Sequence, residues 1–288
     1  MNSAELIKKI RKIEIRTRAI SQQVFSGQYH SAFKGRGMAF SEVREYTYGD
    51  DIRNIDWNVT ARFNHPYIKV FEEERELTVM ILIDTSSSSL FGTHKMQKRD
   101  LITELAAVLS FSAITNNDKV GVIFYNDSIQ KFIPPQKGKT HILRIISELV
   151  NLTPETSQTN TALALRYLTN VIKKKCTAFL ISDFIETDFE TALRITGKKH
   201  DLSAIQVLDT GETHLPPIGL MQICDLETGK KRIVDTSNAR FQRNYTLWWN
   251  QHDKELQDIF RRTGTDSIKL YTDKDYVPSL MELFKKRS

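Results

Sequence analysis

The sequence predicts an α/β protein whose mostly parallel central sheet is covered by helices on both faces. Strand-like apolar runs alternate with helix-like segments between residues 77 and 208, which is the pattern of consecutive strand–helix units. One of these runs, LTVMILID (residues 77–84), is almost continuously apolar, as expected of a central strand that is buried on both faces. After residue 209 the pattern changes to a hairpin and further helices, which predicts a C-terminal elaboration of the same domain.

The residues ahead of this domain fall into two segments. Apolar side chains recur at helical spacing along residues 6–24 and basic side chains cover much of the remaining surface, which predicts an amphipathic helix. Its basic face is either a solvated surface or a contact for an acidic or lipid partner. Residues 27–65 carry several glycines, many charges and few strand patterns. We therefore expect an N-terminal region over residues 1–75 and the α/β domain over residues 76–288.

The periodicity of the apolar residues predicts the elements of the chain in order. Strands are expected at residues 67–71, 77–84, 119–126, 129–133, 177–182, 202–208 and 266–271. Helices are expected at residues 97–115, 140–151, 160–174, 188–198, 238–263 and 275–286. Residues 221–235 are predicted to form a hairpin with the turn ETGK at residues 227–230.

The composition indicates a globular protein of a reducing compartment. The net charge is +6, from 41 basic and 35 acidic residues, which is too small an excess to indicate nucleic-acid binding by itself. Two cysteines are too few for a disulfide framework, and they lack the spacing of a metal site. The chain has no signal-peptide pattern and no apolar run near the roughly 18 residues of a membrane span. We expect a cytoplasmic protein without a transmembrane segment.

A group of oxygen-bearing side chains is predicted at the carboxyl edge of the sheet. The run ILIDTSSSSLFG (residues 81–92) contains the pattern D-x-S-x-S, formed by Asp84, Ser86 and Ser88. Thr159 precedes a predicted helix, and Asp183 follows a predicted strand. Ligands of open parallel sheets bind beyond the carboxyl ends of the strands, and ligand sets made of oxygen alone favour Mg²⁺, Mn²⁺ or Ca²⁺. Neutral hydroxyls and two carboxylates predict loose metal binding, with a water position that a partner's carboxylate can take.

These five residues resemble the metal-ion-dependent adhesion site of von Willebrand factor type A domains, which have a Rossmann-like fold. The resemblance implies that Ser86, Ser88 and Thr159 bind the metal directly, whereas Asp84 and Asp183 act through water. D-x-S-x-S alone is weak support, because Asp and Ser are common in turns and helix caps. The sequence SQT stands where two glycines usually precede the threonine, so the path of that loop is left open.

A dense mixture of charges, here called the charged segment, precedes the α/β domain. Arginines alternate with aspartates that they can bind bidentately, and a tryptophan offers a large apolar anchor. Its candidate partner-binding or structural residues are Arg44, Asp50, Asp51, Arg53, Asp56, Trp57 and Arg62. The pattern favours a buried charge network that packs against the sheet domain, with a partner-docking or nucleic-acid surface as the alternative.

The charged segment closely resembles the signature of the family catalogued as domain of unknown function fifty-eight. The shared positions are Gly35, Gly37, Arg44, Tyr46, Gly49, Asp50, Asp51, Arg53, Ile55, Asp56, Trp57, Thr60, Ala61, Arg62, Lys69, Phe71 and Glu72. The later stretch HLPPIGLMQICDLETG (residues 214–229) extends the resemblance over nearly the whole chain. The resemblance implies an adaptor that acts with an AAA+ ATPase of the MoxR type, or with other co-encoded proteins, in chaperone-like assembly or a stress response.

The expected function is that of a non-enzymatic, metal-dependent protein-binding adaptor without catalytic residues or a small-molecule substrate. Its cofactor would be Mg²⁺, or Mn²⁺ or Ca²⁺, and the metal would bridge to a carboxylate of the protein partner. One alternative is a metal-dependent hydrolase at the same site, which requires a general base near the metal, and the sequence near the five ligands offers no obvious one. A serine nucleophile at residues 86–89 would also need a base, for which His94 is the only close candidate. Another is a nucleic-acid-binding adaptor that uses the basic N-terminal helix, which would show steep salt dependence.

Overall fold

The computed structural model divides the chain into two compact units. The larger unit comprises Met1–Phe33 with Thr78–Ser288, and the smaller comprises Lys34–Leu77. The structure describes residues 11, 13–18, 20–21, 38–73, 77–93, 96–152, 158–224 and 230–287. His94, much of the predicted N-terminal helix and the predicted ETGK turn except Lys230 therefore lie outside the described residues.

The smaller unit is built on an antiparallel pair of strands, β1 (Met38–Glu45) and β2 (Tyr67–Glu73). A 3₁₀ turn (Ile52–Asn54) and the short helix α1 (Trp57–Phe63) lie between them in the sequence. Only β2 was predicted. The apolar residues of β1 do not alternate regularly, so its extended form depends on pairing with a strand that is distant in sequence.

A six-stranded sheet forms the centre of the larger unit. Its strands are β3 (Thr78–Asp84), β4 (Lys119–Tyr125), β5 (Ile129–Gln136), β6 (Thr177–Ser182), β7 (Asp201–Leu208) and β10 (Asp266–Tyr271), and a separate hairpin is formed by β8 (Leu220–Cys224) and β9 (Lys231–Asp235). The strand order is β10-β7-β6-β3-β4-β5, and every neighbouring pair is parallel except β4 with β5. The predicted α/β fold with a mostly parallel sheet is thus confirmed.

Most helices of the larger unit follow the predicted pattern. They are α2 (Lys98–Thr115), α3 (Lys139–Asn151), α4 (Thr161–Val171), α5 (Glu190–Lys199), α6 (Thr210–Thr213), α7 (Ala239–Thr263) and α8 (Val277–Arg287). The single-turn helix α6 was not predicted. The end of α4 differs from the prediction, since it stops at Val171 rather than at residue 174.

Both faces of the central sheet are buried, which explains why β3 is apolar at successive positions. Met80 and Leu82 belong to one core cluster, which they share with residues of α4, α5 and α7. On strand β6, Phe179 lies between two residues of that cluster and packs edge-to-face against Phe284 of α8, with 6.0 Å between ring centroids. Alternate residues of a strand point to opposite faces, so the helices cover the sheet on both sides.

The N-terminal helical residues 13–18 belong with the larger unit. Ile13 packs into a cluster with Ala107 and Phe111 of α2, and Arg16 forms an ion pair of 2.8 Å with Glu104 of the same helix. This differs from the predicted division, which grouped the helix with the charged segment. No helix in the described part of the chain is long and apolar enough to cross a membrane.

Candidate metal centre

The carboxyl ends of β3 and β6 meet at the point where the strand order of the sheet reverses. β3 runs beside β4 on one side and beside β6 on the other, and it pairs with β6 as far as Ile83 opposite Ile181. Open α/β sheets bind ligands in the crevice at such a reversal. Asp84, the last residue of β3, and Asp183, directly after β6, are therefore brought to the same edge.

Asp84 is a buried carboxylate with three polar neighbours. Its side chain accepts hydrogen bonds from the backbone N–H of Ser86 at 2.9 Å and from the hydroxyl of Ser182 at 2.7 Å. The Thr159 hydroxyl lies 3.5 Å and 3.4 Å from its two oxygens, which is long for a bond between a hydroxyl and a carboxylate. None of these three partners carries a positive charge.

The three predicted hydroxyl ligands lie on two loops of the same edge. The Ser86 and Ser88 oxygens are 3.0 Å apart, because a 3₁₀ turn follows Ser86 and folds the serine run back on itself. Thr159 directly precedes Asn160, the N-cap of α4. The backbone N–H of Asn160 donates to the carbonyl of Asn126, just beyond β4, at 2.8 Å. The central sheet therefore fixes the position of both loops.

Asp183 lies in a turn with an uncommon backbone conformation. Gln206 of β7 donates a hydrogen bond of 3.0 Å to the Asp183 carbonyl. The next residue, Phe184, has a φ of 54°, a left-handed conformation that bulky residues rarely adopt. Its N–H donates to the Ser182 hydroxyl at 3.1 Å, and its ring packs edge-to-face on Phe260. These contacts hold the turn that directs Asp183.

Lys98 belongs to the site, although no local sequence pattern marks it as a functional residue. It is the first residue of α2 and is only 1% exposed. Its ammonium group lies 2.9 Å from Asp183 Oδ2 and 2.6 Å from Glu212 Oε1. Burial alone would lower the pKa of Lys98, but the charges of Asp183 and Glu212 outweigh this and raise it. The lysine is therefore charged inside the protein.

The two aspartates differ in how their charge is compensated. Burial raises the pKa of Asp84 to about 6, and the nearby charge of Asp183 adds to the effect. Burial also raises the pKa of Asp183, but the Lys98 charge and hydrogen bonds from Ser88 and Ile185 lower it overall. The described hydrogen-bond partners of Asp183 include the cation Lys98, whereas those of Asp84 include no cation.

The side chains at this edge fit a hard divalent cation. Asp84 supplies a buried carboxylate whose described hydrogen-bond partners include no cation. The Thr159 hydroxyl lies near its two oxygens, and the Ser86 and Ser88 hydroxyls lie 3.0 Å apart on the adjoining turn. Among the described residues, no three His, Cys, Asp or Glu side chains converge in a metal-binding group, so ligands for a softer metal are not indicated there. A bound divalent ion would place a positive charge beside the Asp84 carboxylate. Asp183 differs from the other four predicted ligands because Lys98 already binds one of its oxygens.

The charged segment forms ion pairs on the surface of the smaller unit. Arg44 binds Asp50 at 2.7 Å, and Arg53 binds Asp51 at 2.8 Å. The Arg53 and Asp51 side chains are 86% and 43% exposed. The predicted pairing of arginines with aspartates is present, but the expectation of a buried network is wrong because these pairs face solvent.

The remaining residues of the charged segment cap a helix or lie exposed. Asp56 is the N-cap of α1, where it accepts hydrogen bonds from the backbone N–H groups of Asn58 and Val59. Trp57 is 71% exposed and Arg62 is also exposed. The exposed indole contradicts the expectation of an anchor buried in the fold.

Three residues that complete the site have only weak signals in the sequence. Ser182 ends a predicted strand, but nothing in the sequence pairs it with Asp84. Glu212 forms a capping box with Asp209, and the D-x-x-E spacing of DTGE was a readable sign of a helix start. Lys98 looks like an ordinary surface lysine at a helix start, and only the tertiary fold brings it to Asp183.

Comparison with known proteins places these observations in a family. The family model described as protein of unknown function DUF58 matches residues 42–255. An uncharacterized protein from Mycobacterium tuberculosis strain H37Rv is 27% identical over 291 residues, which cover 100% of this chain and 91% of that protein.

Two solved structures resemble the chain at low sequence identity. A crystal structure of an aerotolerance-related membrane protein from Bacteroides fragilis, with multiple mutations to serines, aligns with a TM-score of 0.51 and 14% identity, over 73% of this chain and 98% of that one. The conserved hypothetical protein BatB from Bacteroides thetaiotaomicron aligns with a TM-score of 0.49 and 15% identity over the same shares.

These findings identify the fold of the larger unit and the family of the chain. The reversed strand order, the single antiparallel edge strand and the likeness to the Bacteroides fragilis structure agree with the von Willebrand factor type A-like fold that the sequence resemblance implied. The predicted family is confirmed as well. Because its model matches more than half of the sequence, the chain belongs to the family described as protein of unknown function DUF58.

Proposed function

We propose that this protein is a non-enzymatic adaptor that binds a protein partner through a divalent cation at the carboxyl edge of its sheet. The observation that carries the proposal is the buried carboxylate of Asp84 beside the hydroxyls of Ser86, Ser88 and Thr159. Neutral hydroxyl ligands leave most of the charge of a divalent ion uncompensated. Such an ion attracts a further anionic oxygen, and a carboxylate of a partner protein supplies one.

The described residues of the site favour binding over catalysis. A hydrolase needs a nucleophile or bound water with a general base in reach. None of the hydrogen bonds described for Ser86, Ser88 or Thr159 has a histidine partner, and the carboxylate of Asp183 is bound by Lys98. We therefore assign a cation bound beside these groups the role of attracting and orienting an anionic oxygen of a partner.

As the partner we propose a MoxR-type AAA+ ATPase or a co-encoded protein. Support comes from membership of the DUF58 family, in which the resemblance described above implies such partners. Mg²⁺ is the first metal to test, with Mn²⁺ and Ca²⁺ as alternatives that accept the same oxygen ligands. The proposed setting is chaperone-like assembly or a stress response inside the cytoplasm.

Calorimetric titration of the metal-free protein tests the cation site. We expect Mg²⁺ binding in the wild type and binding weaker by about tenfold or more in Thr159→Val, which removes a ligand hydroxyl at nearly constant volume. Thr169→Val is the matched control, because the Thr169 hydroxyl donates to the carbonyl of Leu165 within α4 and lies outside the site. Equal Mg²⁺ binding by wild type and Thr159→Val would contradict the proposed site, as would no binding at millimolar Mg²⁺.

Capture of a purified MoxR-type ATPase by the immobilised protein tests the partner. Capture should require Mg²⁺, stop in excess EDTA and be reduced in Thr159→Val but not in Thr169→Val. The same preparations are assayed against phosphoesters, peptides and nucleotides. Metal-dependent hydrolysis that disappears in Thr159→Val would replace the adaptor model with the hydrolase model.

A further inference from the structure

The buried lysine at the candidate metal centre is an unusual feature for a site that also fits a divalent ion. Lys98 is 1% exposed, and its ammonium binds carboxylates from two other parts of the chain, Asp183 after β6 and Glu212 in α6. A lysine in the first turn of a helix is disfavoured by the helix dipole and by desolvation. Its position is therefore stabilised by the two carboxylates that it binds.

Among the described residues, the carboxylates at this edge outnumber the cations that contact them. Counted over the described side chains, Asp84, Asp183 and Glu212 contribute three negative charges when ionised and Lys98 contributes one positive charge, which gives this cluster a net charge of −2. A divalent ion held by the hydroxyls beside Asp84 would be attracted by this negative charge. The ammonium of Lys98 thus compensates part of the negative charge, and it does so at Asp183 and Glu212.

The partner of Lys98 at the far side of the cluster is itself fixed in place. The Glu212 carboxylate accepts a hydrogen bond from the backbone N–H of Asp209 at 3.1 Å, and its backbone carbonyl accepts one from the Tyr245 hydroxyl at 2.5 Å. The ion pairs of Lys98 therefore connect α2 with the end of β6 and with α6. The hydrogen bond from Tyr245 connects α6 with α7. This network needs no metal to form.

We infer that Lys98 is the resident counter-ion of the site, which keeps Asp183 and Glu212 assembled when no divalent ion is bound and limits how tightly that ion binds. The ammonium repels a nearby divalent cation and occupies an oxygen of Asp183 that the cation's water shell would otherwise use. Metal binding is then weak and reversible. The inference rests on the proposed metal-dependent docking, because it describes how that site is regulated.

Lys98→Met tests the inference by removing the charge while keeping an unbranched side chain. In EDTA the variant should unfold at a clearly lower temperature than the wild type, because one buried and one partly buried carboxylate lose their cation. Excess Mg²⁺ should raise its melting temperature more than that of the wild type, and calorimetry should show Mg²⁺ binding at least about tenfold tighter. Lys269→Met is the matched control, since Lys269 pairs with Asp253 outside the site.

A second pair of variants covers the case in which Lys98→Met does not fold. The double variant Lys98→Met/Glu212→Gln loses one charge of each sign, so the net charge of the cluster stays at −2. In Glu212→Gln alone, Lys98 still pairs with Asp183 and the net charge of the cluster is −1. The double variant should bind Mg²⁺ at least about tenfold more tightly than Glu212→Gln.

The outcomes separate this inference from the proposed function. If the wild type binds Mg²⁺ and the Lys98 variants bind it no more tightly than their parents, the counter-ion role is overturned and the docking proposal stands. If only the Lys98 variants bind Mg²⁺, the counter-ion role is supported and metal-dependent docking by the natural protein is contradicted. Absence of Mg²⁺ binding in every variant overturns both.

Discussion

His200 shows how burial sets the chemistry of a single side chain. It is 1% exposed, and its Nδ1 accepts a hydrogen bond from the backbone N–H of Cys176 and lies 3.2 Å from the Cys176 sulfur. Burial lowers the pKa of His200 to about 4, with the Lys199 charge adding to the effect, and burial raises the pKa of Cys176 to about 12. A neutral imidazole beside a protonated thiol is not an activated nucleophile, so this pair is structural.

The pH dependence of unfolding follows from the His200 environment. The folded state holds its imidazole neutral down to about pH 4, whereas an unfolded chain protonates it near pH 6.5, so the unfolded state binds more protons between these values. Stability from this group is complete above about pH 6.5 and falls by up to about 3 kcal/mol as the pH is lowered to 4. His200→Asn keeps an acceptor near Nδ1 and removes the titration.

Chemical denaturation of wild type and His200→Asn between pH 7 and pH 4 measures this effect. Many carboxylates titrate in the same range, so the informative quantity is the difference between the two proteins at each pH. The free energy of unfolding of the wild type minus that of His200→Asn should decrease as the pH falls. A difference that is constant across the range would show that His200 does not carry the pH dependence.

The sequence predicted single residues well where one strand end or helix start places them. Asp84 ends a strand, Thr159 precedes a helix, and the structure brings both to one edge as parallel strands require. Lys98 and Ser182 were not selected because their roles depend on groups that are more than eighty positions away in the sequence, 85 for Lys98 with Asp183 and 98 for Ser182 with Asp84. No local pattern encodes such a contact.

At the scale of elements, α1 depends on its N-cap, Asp56, more than on the ion pair that precedes it. Asp56 accepts hydrogen bonds from the Asn58 and Val59 N–H groups at 3.0 Å and 3.2 Å, which satisfies donors that the helix leaves free. The Arg53–Asp51 pair faces solvent, where such pairs contribute little to stability. The helix should therefore be sensitive to Asp56 and insensitive to Arg53.

Hydrogen exchange of the α1 amides measures this difference. Asp56→Ala should speed exchange across Trp57–Phe63 severalfold, because a cap is lost, whereas Asp56→Ser keeps a capping oxygen and should exchange nearly as the wild type does. Arg53→Ala should leave the exchange unchanged. Faster exchange in Arg53→Ala than in Asp56→Ala would mean that the ion pair, not the cap, stabilises the helix.

Elements were predictable wherever apolar periodicity was long enough. β3 and β6 are apolar at nearly every position because both faces of the sheet are covered, and α7 is long enough to show its helical repeat. The elements that were missed are short or depend on distant pairing. β1 is held by β2, α1 by its N-cap, and α6 by its capping box with Asp209, which are local or tertiary hydrogen bonds rather than periodic patterns.

At the scale of the whole molecule, the two units offer surfaces of different chemistry. The larger unit carries the oxygen-rich edge around Asp84. The smaller unit exposes large apolar side chains beside its surface ion pairs, namely Tyr48, Ile52, Trp57 and Phe63. Exposed aromatic residues are common where proteins bind one another, which favours the docking interpretation of the charged segment over the buried network.

Trp57→Ala tests whether the smaller unit contributes to partner binding. With 71% of its surface exposed, the Trp57 side chain contributes little to the core, so thermal unfolding should be nearly unchanged. Capture of the MoxR-type ATPase in Mg²⁺ should fall at least about tenfold if the indole is a main contact of the interface. Ile195→Ala is the matched control, because Ile195 is a 56% exposed apolar residue of α5 in the larger unit.

Capture by Trp57→Ala and by Thr159→Val distinguishes the two surfaces, since the first variant keeps the metal site and the second keeps the indole. Full capture by Trp57→Ala, with loss of capture in Thr159→Val, would confine partner binding to the sheet edge.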